Sequence, residues 1–340
     1  MQNLISCDRS SALEKVNRRK ALGIVEDYLI LSEIGEDHLY PVFLAVTIDP
    51  SLAELSQDDD SYQEPFFAIK AIPVNDAKGS FENECNIFQL KGHKNILNCV
   101  RIVKNVKLNF KNLKGEEYHL FILPYLPNGD LLTFLKKSRF EERIVRYYFE
   151  QMLNAVEYMH SQGFAHRDLK TENFLLNDEF DIVLTDFGHS VRHSDLFGPK
   201  LFGDYDAMTS PGICPPEYYG GLGYRATEMD IFTLGKMLLI LVTGVNPFKC
   251  AKGTDPNFSL IINGNWEKFW SVIHNCLKRK CIRAEELTRE FKDLAEKLLN
   301  PNPLLRPTFQ QIRESSWFTN TQPRTQQEVQ AFMVRTKILF

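Results

Sequence analysis

Near its middle the chain reads His166-Arg167-Asp168-Leu169-Lys170-Thr171-Glu172-Asn173, and further on it reads Asp186-Phe187-Gly188. Either His-Arg-Asp or Asp-Phe-Gly alone is weak evidence, because each arises by chance in a chain of this length. The two motifs in this order and at this distance are very hard to produce by chance. Together they would place a proton acceptor, a phosphate-facing lysine and two magnesium ligands on neighbouring loops. That set is what phosphoryl transfer from ATP to a hydroxyl requires.

The composition is that of an ordinary soluble globular protein. The chain has 340 residues, of which 44% are hydrophobic and 25% are charged. This length predicts one two-lobed unit or two domains. The net charge of −4 provides no overall basic field for nucleic acid or a membrane surface. No apolar run approaches the roughly 20 residues that span a bilayer, so we expect neither a nucleic-acid partner nor membrane association.

The cysteine pattern bears on the cellular compartment. The seven cysteines are scattered and are never spaced as Cys-x-x-Cys, which predicts reduced thiols rather than a disulfide framework or a zinc site. The chain begins without the hydrophobic region of a signal peptide, and Gln2 stands where N-myristoylation needs glycine. We therefore expect a cytoplasmic location, with access to the nucleus left open.

Strand-like segments precede helix-like ones along the chain. Short segments rich in branched and aromatic residues predict strands at Tyr28–Ile34, Val42–Ile48, Phe66–Ile72, Asn98–Phe110 and Tyr118–Leu123. The acidic connection Asp49–Pro65 is predicted to be a solvated insertion. Pro124–Gly129 then interrupts the pattern as a hinge. Beyond it, apolar residues at helical spacing predict a helix from Ile144 to His160, and another covers Phe291–Leu299.

The ordered motifs resemble the eukaryotic protein kinases from about Leu29 to about Trp317. The resemblance implies an α+β, two-lobed kinase fold, with a small β-rich N-lobe (about 25–123) and a larger, mostly helical C-lobe (about 130–318). Residues 1–24 would form an N-terminal extension and residues 319–340 a C-terminal tail. Pro215-Pro216-Glu217 resembles the family's Ala-Pro-Glu, and Arg306 its buried partner, so this pair would brace the fold without touching substrate.

The resemblance also assigns an ion pair. Phe67-Ala68-Ile69-Lys70 is similar to the family's third-strand Val-Ala-Ile-Lys motif, so Lys70 would hold the α and β phosphates. Its partner would lie in Phe81–Leu97, which reads like the C-helix and the following loop. Glu84 is the expected partner. Glu82 is the alternative and lies on a different helix face, because side chains at i and i+2 do not point together.

Four further residues receive roles in the transfer step. In the resemblance, Asp168 accepts or orients the proton of the substrate hydroxyl, and Lys170 neutralises charge on the γ-phosphoryl group. Asn173 and Asp186 would hold Mg²⁺ through hard oxygen ligands. Lysine within Asp-Leu-Lys-x-x-Asn resembles serine/threonine kinases rather than tyrosine kinases. The predicted activity is therefore that of an ATP-dependent serine/threonine protein kinase.

The resemblance implies an ATP site whose residues come from several segments. They are Gly35 in the loop over the phosphates, Val42, Ala68 and Leu175 around the adenine, Leu123 as gatekeeper, Pro124, Tyr125 and Leu126 as hinge, and Asp130 at the ribose.

The loop over the phosphates departs from the family pattern. Gly-x-Gly-x-x-Gly-x-Val aligns with Gly35-Glu36-Asp37-His38-Leu39-Tyr40-Pro41-Val42, so only the first glycine is present. Glycine lets the backbone approach the phosphates closely, and Asp37 adds a repelling charge that costs about 1 to 2 kcal/mol. This departure keeps an alternative open, in which the fold is a pseudokinase scaffold or a weak nucleotide-binding module. The complete set of Lys70, Glu84, Asp168, Asn173 and Asp186 favours an active enzyme.

Regulation and substrate choice are predicted from single positions. In the resemblance, Asp186–Glu217 is the activation segment. An arginine before the catalytic aspartate, here Arg167, usually couples to a phosphorylated or acidic residue in that segment. The alignment puts Asp206 at the usual phosphorylation position and Ser210 at the threonine that contacts the catalytic aspartate and lysine. We expect Asp206 to supply that charge permanently, although a merely solvated aspartate is nearly as good an interpretation. Asp130 and Glu172 predict a preference for basic residues before the target Ser/Thr, and we expect a monomer.

The overall pattern is most like the calcium/calmodulin-dependent group, including the calcium-dependent kinases of protists. Leu-Pro-Asn-Gly-Asp-Leu and Gly-x-Asn-Pro-Phe carry this likeness, yet no EF-hand loop appears, so direct calcium sensing is not supported. The C-terminal segment Glu328–Phe340 predicts a helix packed on the larger lobe, with a docking or autoinhibitory helix as the alternative. Lys278-Arg279-Lys280 with Arg283 is a basic patch that we interpret as a solvated face.

Overall fold

The computed structural model describes most of the chain. The described residues are 21–34, 40–48, 66–76, 78–90, 92–109, 113, 116–196, 198–203, 212–279 and 287–338. They form two compact units. The first unit comprises the described residues up to Gly92 together with Leu97–Asn128. The second comprises His93–Ile96 and the described residues from Gly129 onwards.

The first unit is a six-stranded antiparallel sheet with one helix. Its strands are β1 (Gly23–Val25), β2 (Tyr28–Glu33), β3 (Val42–Thr47), β4 (Phe66–Pro73), β5 (Arg101–Lys107) and β6 (Glu117–Pro124). The helix is α1 (Ser80–Phe88). The strand order is β1-β2-β3-β4-β6-β5, so each connection joins neighbours except the one from β4 to β5.

The two faces of this sheet differ in what they carry. Because side chains alternate along a strand, cross-strand partners share a face. One face buries the core of the unit, whose central members are Phe43, Ala45, Phe67, Ile69, Ala71, Leu120 and Ile122. The opposite face carries Lys70 and Phe121, which are cross-strand partners. Helix α1 lies on that second face, since the ring of Phe81 stacks on Phe121 with centroids 5.2 Å apart.

The second unit is mostly helical. Its helices are α2 (Leu131–Lys137), α3 (Glu142–Ser161), α4 (Ala226–Thr243), α5 (Pro256–Ile262), α6 (Trp266–Arg279), α7 (Arg289–Leu298), α8 (Phe309–Arg313), α9 (Ser316–Thr319) and α10 (Gln326–Ile338). Short strands form three pairs, which are β7 (Phe164–Ala165) with β10 (Val191–Arg192), β8 (Phe174–Leu176) with β9 (Ile182–Leu184), and β11 (Ser194–Asp195) with β12 (Gly198–Pro199).

Helix α4 is the centre of this unit. It is apolar almost all round, as expected of a helix surrounded by protein, and nearly all of its residues are buried. At Gly235 a Cβ atom would lie 2.5 Å from Cβ of Leu298 on α7, so only glycine allows this helix contact. The helix ends at Gly244, whose φ of 64° lies in the left-handed region that terminates helices.

The last helix, α10, packs on the second unit. Its buried residues are Val329, Met333 and Thr336, and it lies against α2. The ring of Phe332 meets that of Phe140 edge-on at 5.8 Å. The packed helix expected within Glu328–Phe340 is therefore present, and it begins at Gln326.

The α+β fold with a β-rich first lobe and a helical second lobe is confirmed. The expected strands and helices are present with small shifts at their ends, while the short strands β1 and β7 to β12 were not predicted. Five predicted features lie wholly or largely outside the described residues, namely the N-terminal extension 1–24, the insertion Asp49–Pro65, the loop residues Gly35–Leu39, Asp206 and Ser210. Within the described part of the chain, no helix combines the length and the apolar character needed to cross a bilayer.

Candidate active site

The first unit buries an ion pair between Lys70 and Glu84. Lys70 lies in the middle of β4 and Glu84 on α1, and their side chains are in direct contact through Nζ and Oε1. Lys70 is 8% exposed and Glu84 is 1% exposed. Glu82, the alternative partner, is solvent-exposed. The expected pair is therefore present, and Glu84 rather than Glu82 is the partner of Lys70.

Several expected adenine-site residues share the sheet face of Lys70. Val42 is the cross-strand partner of Lys70, and Leu123 is the partner of Ala68, two residues before Lys70. The same face therefore carries all four side chains. Pro124 ends β6, and the amide of Tyr125 donates to the carbonyl of Phe66 at 3.3 Å. Leu126 follows within the same unit, whereas Asp130 and Leu175 face each other across an isolated bridge in the second unit.

The catalytic loop surrounds the carboxylate of Asp168. This side chain is 1% exposed. Its Oδ2 accepts hydrogen bonds from Nζ of Lys170 at 2.8 Å and from Nδ2 of Asn173 at 3.2 Å. Its Oδ1 is buried, and none of the described residues donates to it. A buried carboxylate oxygen without a donor is costly unless a ligand group supplies one. The geometry leaves Oδ1 with an unused capacity to accept a hydrogen bond.

A carboxylate on α4 holds the backbone of this loop. Asp230 is 1% exposed, and its two oxygens accept from the amides of His166 at 2.8 Å and Arg167 at 2.9 Å. The φ of Arg167 is 65°, a left-handed conformation that costs a residue with a side chain about 1–2 kcal/mol. The two hydrogen bonds stabilise this conformation and so set the direction of the next residue, Asp168. Nε2 of His160 lies 2.8 Å from the same carboxylate.

The second motif is tied to the first through Thr185. Its amide and its hydroxyl both donate to the carbonyl of Asn173, at 2.9 and 3.2 Å. Nε2 of His166 donates to the carbonyl of Thr185 at 3.1 Å, and the buried ring of Phe187 packs on the His166 ring. Asp186 lies between them with a φ of 63°, so two residues of the candidate site hold left-handed backbone. These contacts bring Asp186 close to Asn173.

The donor set fits a magnesium ion. Nδ2 of Asn173 is engaged by the carbonyl of Asp168 at 2.8 Å, while no described residue donates to its Oδ1. One amide oxygen and the carboxylate of the half-buried Asp186 are hard oxygen ligands of the kind Mg²⁺ prefers. The two residues could therefore share an ion, with further ligands from phosphate and water.

These observations agree with comparison to known proteins. A family model described as the protein kinase domain matches residues 57–318, which is most of the chain. The chain belongs to the protein kinase family.

Curated kinases from plants are among its relatives. The chain is 30% identical over 242 residues to CBL-interacting protein kinase 26 of Oryza sativa subsp. japonica. The match covers 70% of this chain and 42% of that protein. It is 32% identical over 232 residues to CBL-interacting serine/threonine-protein kinase 12 of Arabidopsis thaliana. That match covers 68% of this chain and 44% of the relative. The chain thus spans about half the length of the curated kinases it matches.

The kinase fold is braced by the expected pair of Glu217 and Arg306. Their contact is bidentate, with N–O distances of 2.6 and 2.7 Å, and the arginine side chain is 1% exposed. The guanidinium also donates to the carbonyls of Glu228 and Asn300. The pair is structural, as the sequence indicated.

Arg167 makes contacts of its own near the kinase activation segment. Its Nε donates to the carbonyl of His189 at 2.9 Å, and its Nη1 donates to the hydroxyl of Tyr224 at 3.0 Å. The guanidinium carbon lies 5.3 Å from the ring centre of Phe202. These contacts anchor the start of the activation segment to the catalytic loop.

Sequence reasoning missed two residues of this site. Asp230 receives no role from the sequence, because its role depends on a contact across more than sixty positions that no local pattern reveals. His189 follows the Asp-Phe-Gly motif directly, and burial lowers its pKa although the carboxylates of Asp168 and Asp186 oppose that shift. Its position beside the motif was the available signal.

Proposed function

We propose that this chain is an ATP-dependent serine/threonine protein kinase. The observation that carries the proposal is the buried Oδ1 of Asp168, which has no donor among the described residues and lies beside Lys170 and Asn173. A hydroxyl-bearing substrate supplies the missing donor. Membership of the kinase family and the names of its serine/threonine kinase relatives support this conclusion.

Each residue then has a defined task. Asp168 accepts the hydrogen bond of the attacking hydroxyl and takes its proton as the new O–P bond forms, while the bond from the γ-phosphorus to the bridging oxygen of the β-phosphate breaks and ADP leaves. Lys170 stabilises negative charge on the transferred group, and its contact with Asp168 holds the ammonium in place. Lys70, oriented by Glu84, binds the α and β phosphates. Asn173 and Asp186 would hold Mg²⁺, which would supply positive charge against the phosphate oxygens.

The preference for basic residues before the target Ser/Thr rests on Glu172. This carboxylate is exposed on the catalytic loop, where it is accessible to a substrate side chain. Asp130 is less available, because both of its oxygens accept from Thr133, at 2.8 Å each, at the start of α2. We therefore assign Glu172 the larger share of any selection for arginine or lysine. A peptide array without such a preference contradicts this assignment, and Glu172→Gln should weaken the preference selectively.

Phosphorylation of the activation segment is unnecessary for activity if Asp206 supplies a permanent negative charge at the usual phosphorylation position. Arg167 lies before the catalytic aspartate, as expected for coupling to such a charge. Asp206→Ala should then lower the rate of phosphate transfer, and Asp206→Glu should retain it. An unchanged rate in Asp206→Ala rules out the hypothesis.

The likeness to the calcium/calmodulin-dependent group remains part of the proposal. It is supported by Leu-Pro-Asn-Gly-Asp-Leu and Gly-x-Asn-Pro-Phe. Transfer rates measured with calcium and calmodulin, and with a calcium chelator, decide whether that likeness extends to regulation.

The experiment that tests the activity is phosphate transfer from radiolabelled ATP to a basic serine peptide in the presence of magnesium. Asp186→Asn and Lys70→Met are run beside the wild type. Transfer that disappears in both variants establishes an active kinase. No transfer, together with no magnesium-dependent binding of ATP, leaves a scaffold instead.

A further inference from the structure

Tyr40 stands where the kinase pattern has its last phosphate-loop glycine, yet its side chain is turned to another use. The hydroxyl of Tyr40 donates to Oδ1 of Asp76 at 2.6 Å and lies 3.1 Å from Oγ of Ser80. Tyr40 is 9% exposed and Ser80 is 2% exposed. Because the tyrosine proton goes to the carboxylate, the Ser80 hydroxyl can donate to the tyrosine oxygen. The result is a closed group of three side chains.

Asp76 connects this group to the beginning of α1. Its Oδ2 accepts from the amide of Ser80, the first residue of the helix, at 2.7 Å. Its Oδ1 also accepts from the amide of Lys78 at 3.1 Å. The residue at the helix N-cap is Gly79, which has no side chain to cap the helix. The carboxylate of Asp76 therefore does the capping, and its negative charge suits the N-terminal end of a helix.

The group continues to the ion pair. Ser80 and Glu84 are four residues apart, so they lie on the same helix face one turn from each other. Glu84 pairs with Lys70, and Nζ of Lys70 lies 5.9 Å from the ring centre of Tyr40. Tyr40 thus contacts two parts of the first unit. Its hydroxyl bonds to residues at the start of α1, and its ring lies beside the ammonium of Lys70.

The helix needs such an anchor. Helix α1 has nine residues, and helices of this length are marginal in water without tertiary contacts. Its position decides whether Glu84 reaches Lys70. Burial, together with the hydrogen bond to Asp76, raises the pKa of Tyr40 to about 12, so its hydroxyl keeps its proton throughout the physiological range.

We propose that Tyr40 is a positioning residue, which anchors the N-terminus of α1 through Asp76 and so holds Glu84 against Lys70. Its consequence for catalysis rests on the proposed kinase function, whereas the anchor itself does not. At this position the kinase pattern has a glycine that allows the backbone to approach phosphate, whereas this chain has a side chain that links the segment just before β3 to the helix.

Hydrogen exchange tests the anchor without any assay of activity. In the full chain, Tyr40→Phe should speed amide exchange within residues 80–88 by about tenfold or more, because a hydrogen bond to a charged group is lost. Tyr118→Phe is the matched control. Tyr118 lies in the same unit and donates to the carboxylate of Glu116 at 2.9 Å, so among the described residues its hydroxyl is bonded to its own strand region rather than to α1. Unchanged exchange in Tyr40→Phe, or an equal increase in both variants, overturns the proposal.

A second variant guards against a general loss of structure. Asp76→Asn should speed exchange in the same segment, and the double variant Tyr40→Phe/Asp76→Asn should exchange little faster than Asp76→Asn alone, because Tyr40 acts on the helix through this carboxylate. Additive effects show that the two residues act independently and also overturn the proposal.

Kinetics separate positioning from simple nucleotide contact. Tyr40→Phe should lower kcat about tenfold while the KM for ATP changes little, since the ring and the backbone remain. Tyr40→Gly, which restores the family residue, should also lower kcat, and a rise in kcat/KM above wild type contradicts the anchor. If the wild type transfers no phosphate, the proposed function fails and the exchange comparison alone decides the anchor.

Discussion

Asp230→Asn is a sensitive test of how the catalytic loop is held. The carboxylate accepts from two backbone amides, those of His166 and Arg167, and lies 2.8 Å from Nε2 of His160. Asparagine has one acceptor oxygen in place of two. Whichever amide that oxygen keeps, the other faces an NH₂ group that cannot accept.

The magnitude follows from this count. One buried amide without a partner costs about 1–3 kcal/mol, and the surviving hydrogen bond loses its charged acceptor, so we expect a total of about 3 kcal/mol. The left-handed conformation of Arg167 costs about 1–2 kcal/mol and loses part of its support. Relaxation there moves the next residue, Asp168. A displacement of about 1 Å at a reacting group lowers kcat by about a hundredfold.

The assay compares kcat with the free energy of unfolding in urea, and a matched variant separates the two. Asp255 is also a buried aspartate whose oxygens accept from backbone amides, including those of Asn257 and Phe258 at 3.0 Å and of Lys249 at 2.9 Å. It caps α5, and its hydrogen-bond donors within the described part of the chain are amides of residues 249–258 rather than of the catalytic loop. Asp255→Asn should therefore lose similar stability and keep kcat within about twofold.

Two outcomes would refute the reasoning. One is an Asp230→Asn variant that unfolds more easily but keeps its full kcat, which would mean that the loop conformation does not depend on this carboxylate. The other is an equal loss of kcat in Asp255→Asn, which would mean that general destabilisation explains the effect.

Three further predictions concern stability, each measured by urea unfolding. Gly235→Ala should lose about 2 kcal/mol or more, because its Cβ would lie 2.5 Å from a carbon on α7. Gly220→Ala is the control, because a Cβ atom at Gly220 would meet no heavy atom within 4 Å, and it should be nearly neutral. Equal losses of stability in Gly235→Ala and Gly220→Ala would contradict the packing argument. Glu217→Gln should cost about 3 kcal/mol, since Arg306 keeps a buried charge. Burial lowers the pKa of Lys236 to about 8 from 10.5, so the unfolded chain binds more protons between these values. The free energy of unfolding of the wild type, minus that of Lys236→Met, should therefore rise with pH across that window by about 3 kcal/mol in total. A difference that does not change with pH would refute this prediction.

The sequence predicted best what is encoded locally. Asp168, Lys170 and Asn173 lie on one loop, and their mutual contacts span at most five positions, so the motif implies most of their geometry. Helical periodicity placed Glu82 and Glu84 on different helix faces, and the resemblance of this segment to the family's C-helix selected Glu84. The roles of these residues in phosphate transfer stay predictions, as do the basic-residue preference, the monomeric state and the cytoplasmic location.

What the sequence could not predict depends on contacts between distant segments. Nothing near Asp230 indicates that its carboxylate meets amides on another loop. The substitution at Tyr40 was visible, but its link to Asp76 requires the register of β3 against β4 and the position of α1. Strand β1 has three residues, Gly23–Val25, which is too short for a periodic pattern and exists because it pairs with β2.

The packing of α10 changes where the folded domain should be taken to end. The family match stops at residue 318, yet Val329 and Met333 beyond it are 1% and 0% exposed. Burying two such side chains contributes about 3–6 kcal/mol, which is comparable to the whole stability of many small domains. A chain cut at the family boundary would expose the apolar surface around Phe140 and α2 to solvent. For expression or crystallisation, the unit that folds cooperatively should be taken to extend at least to Ile338.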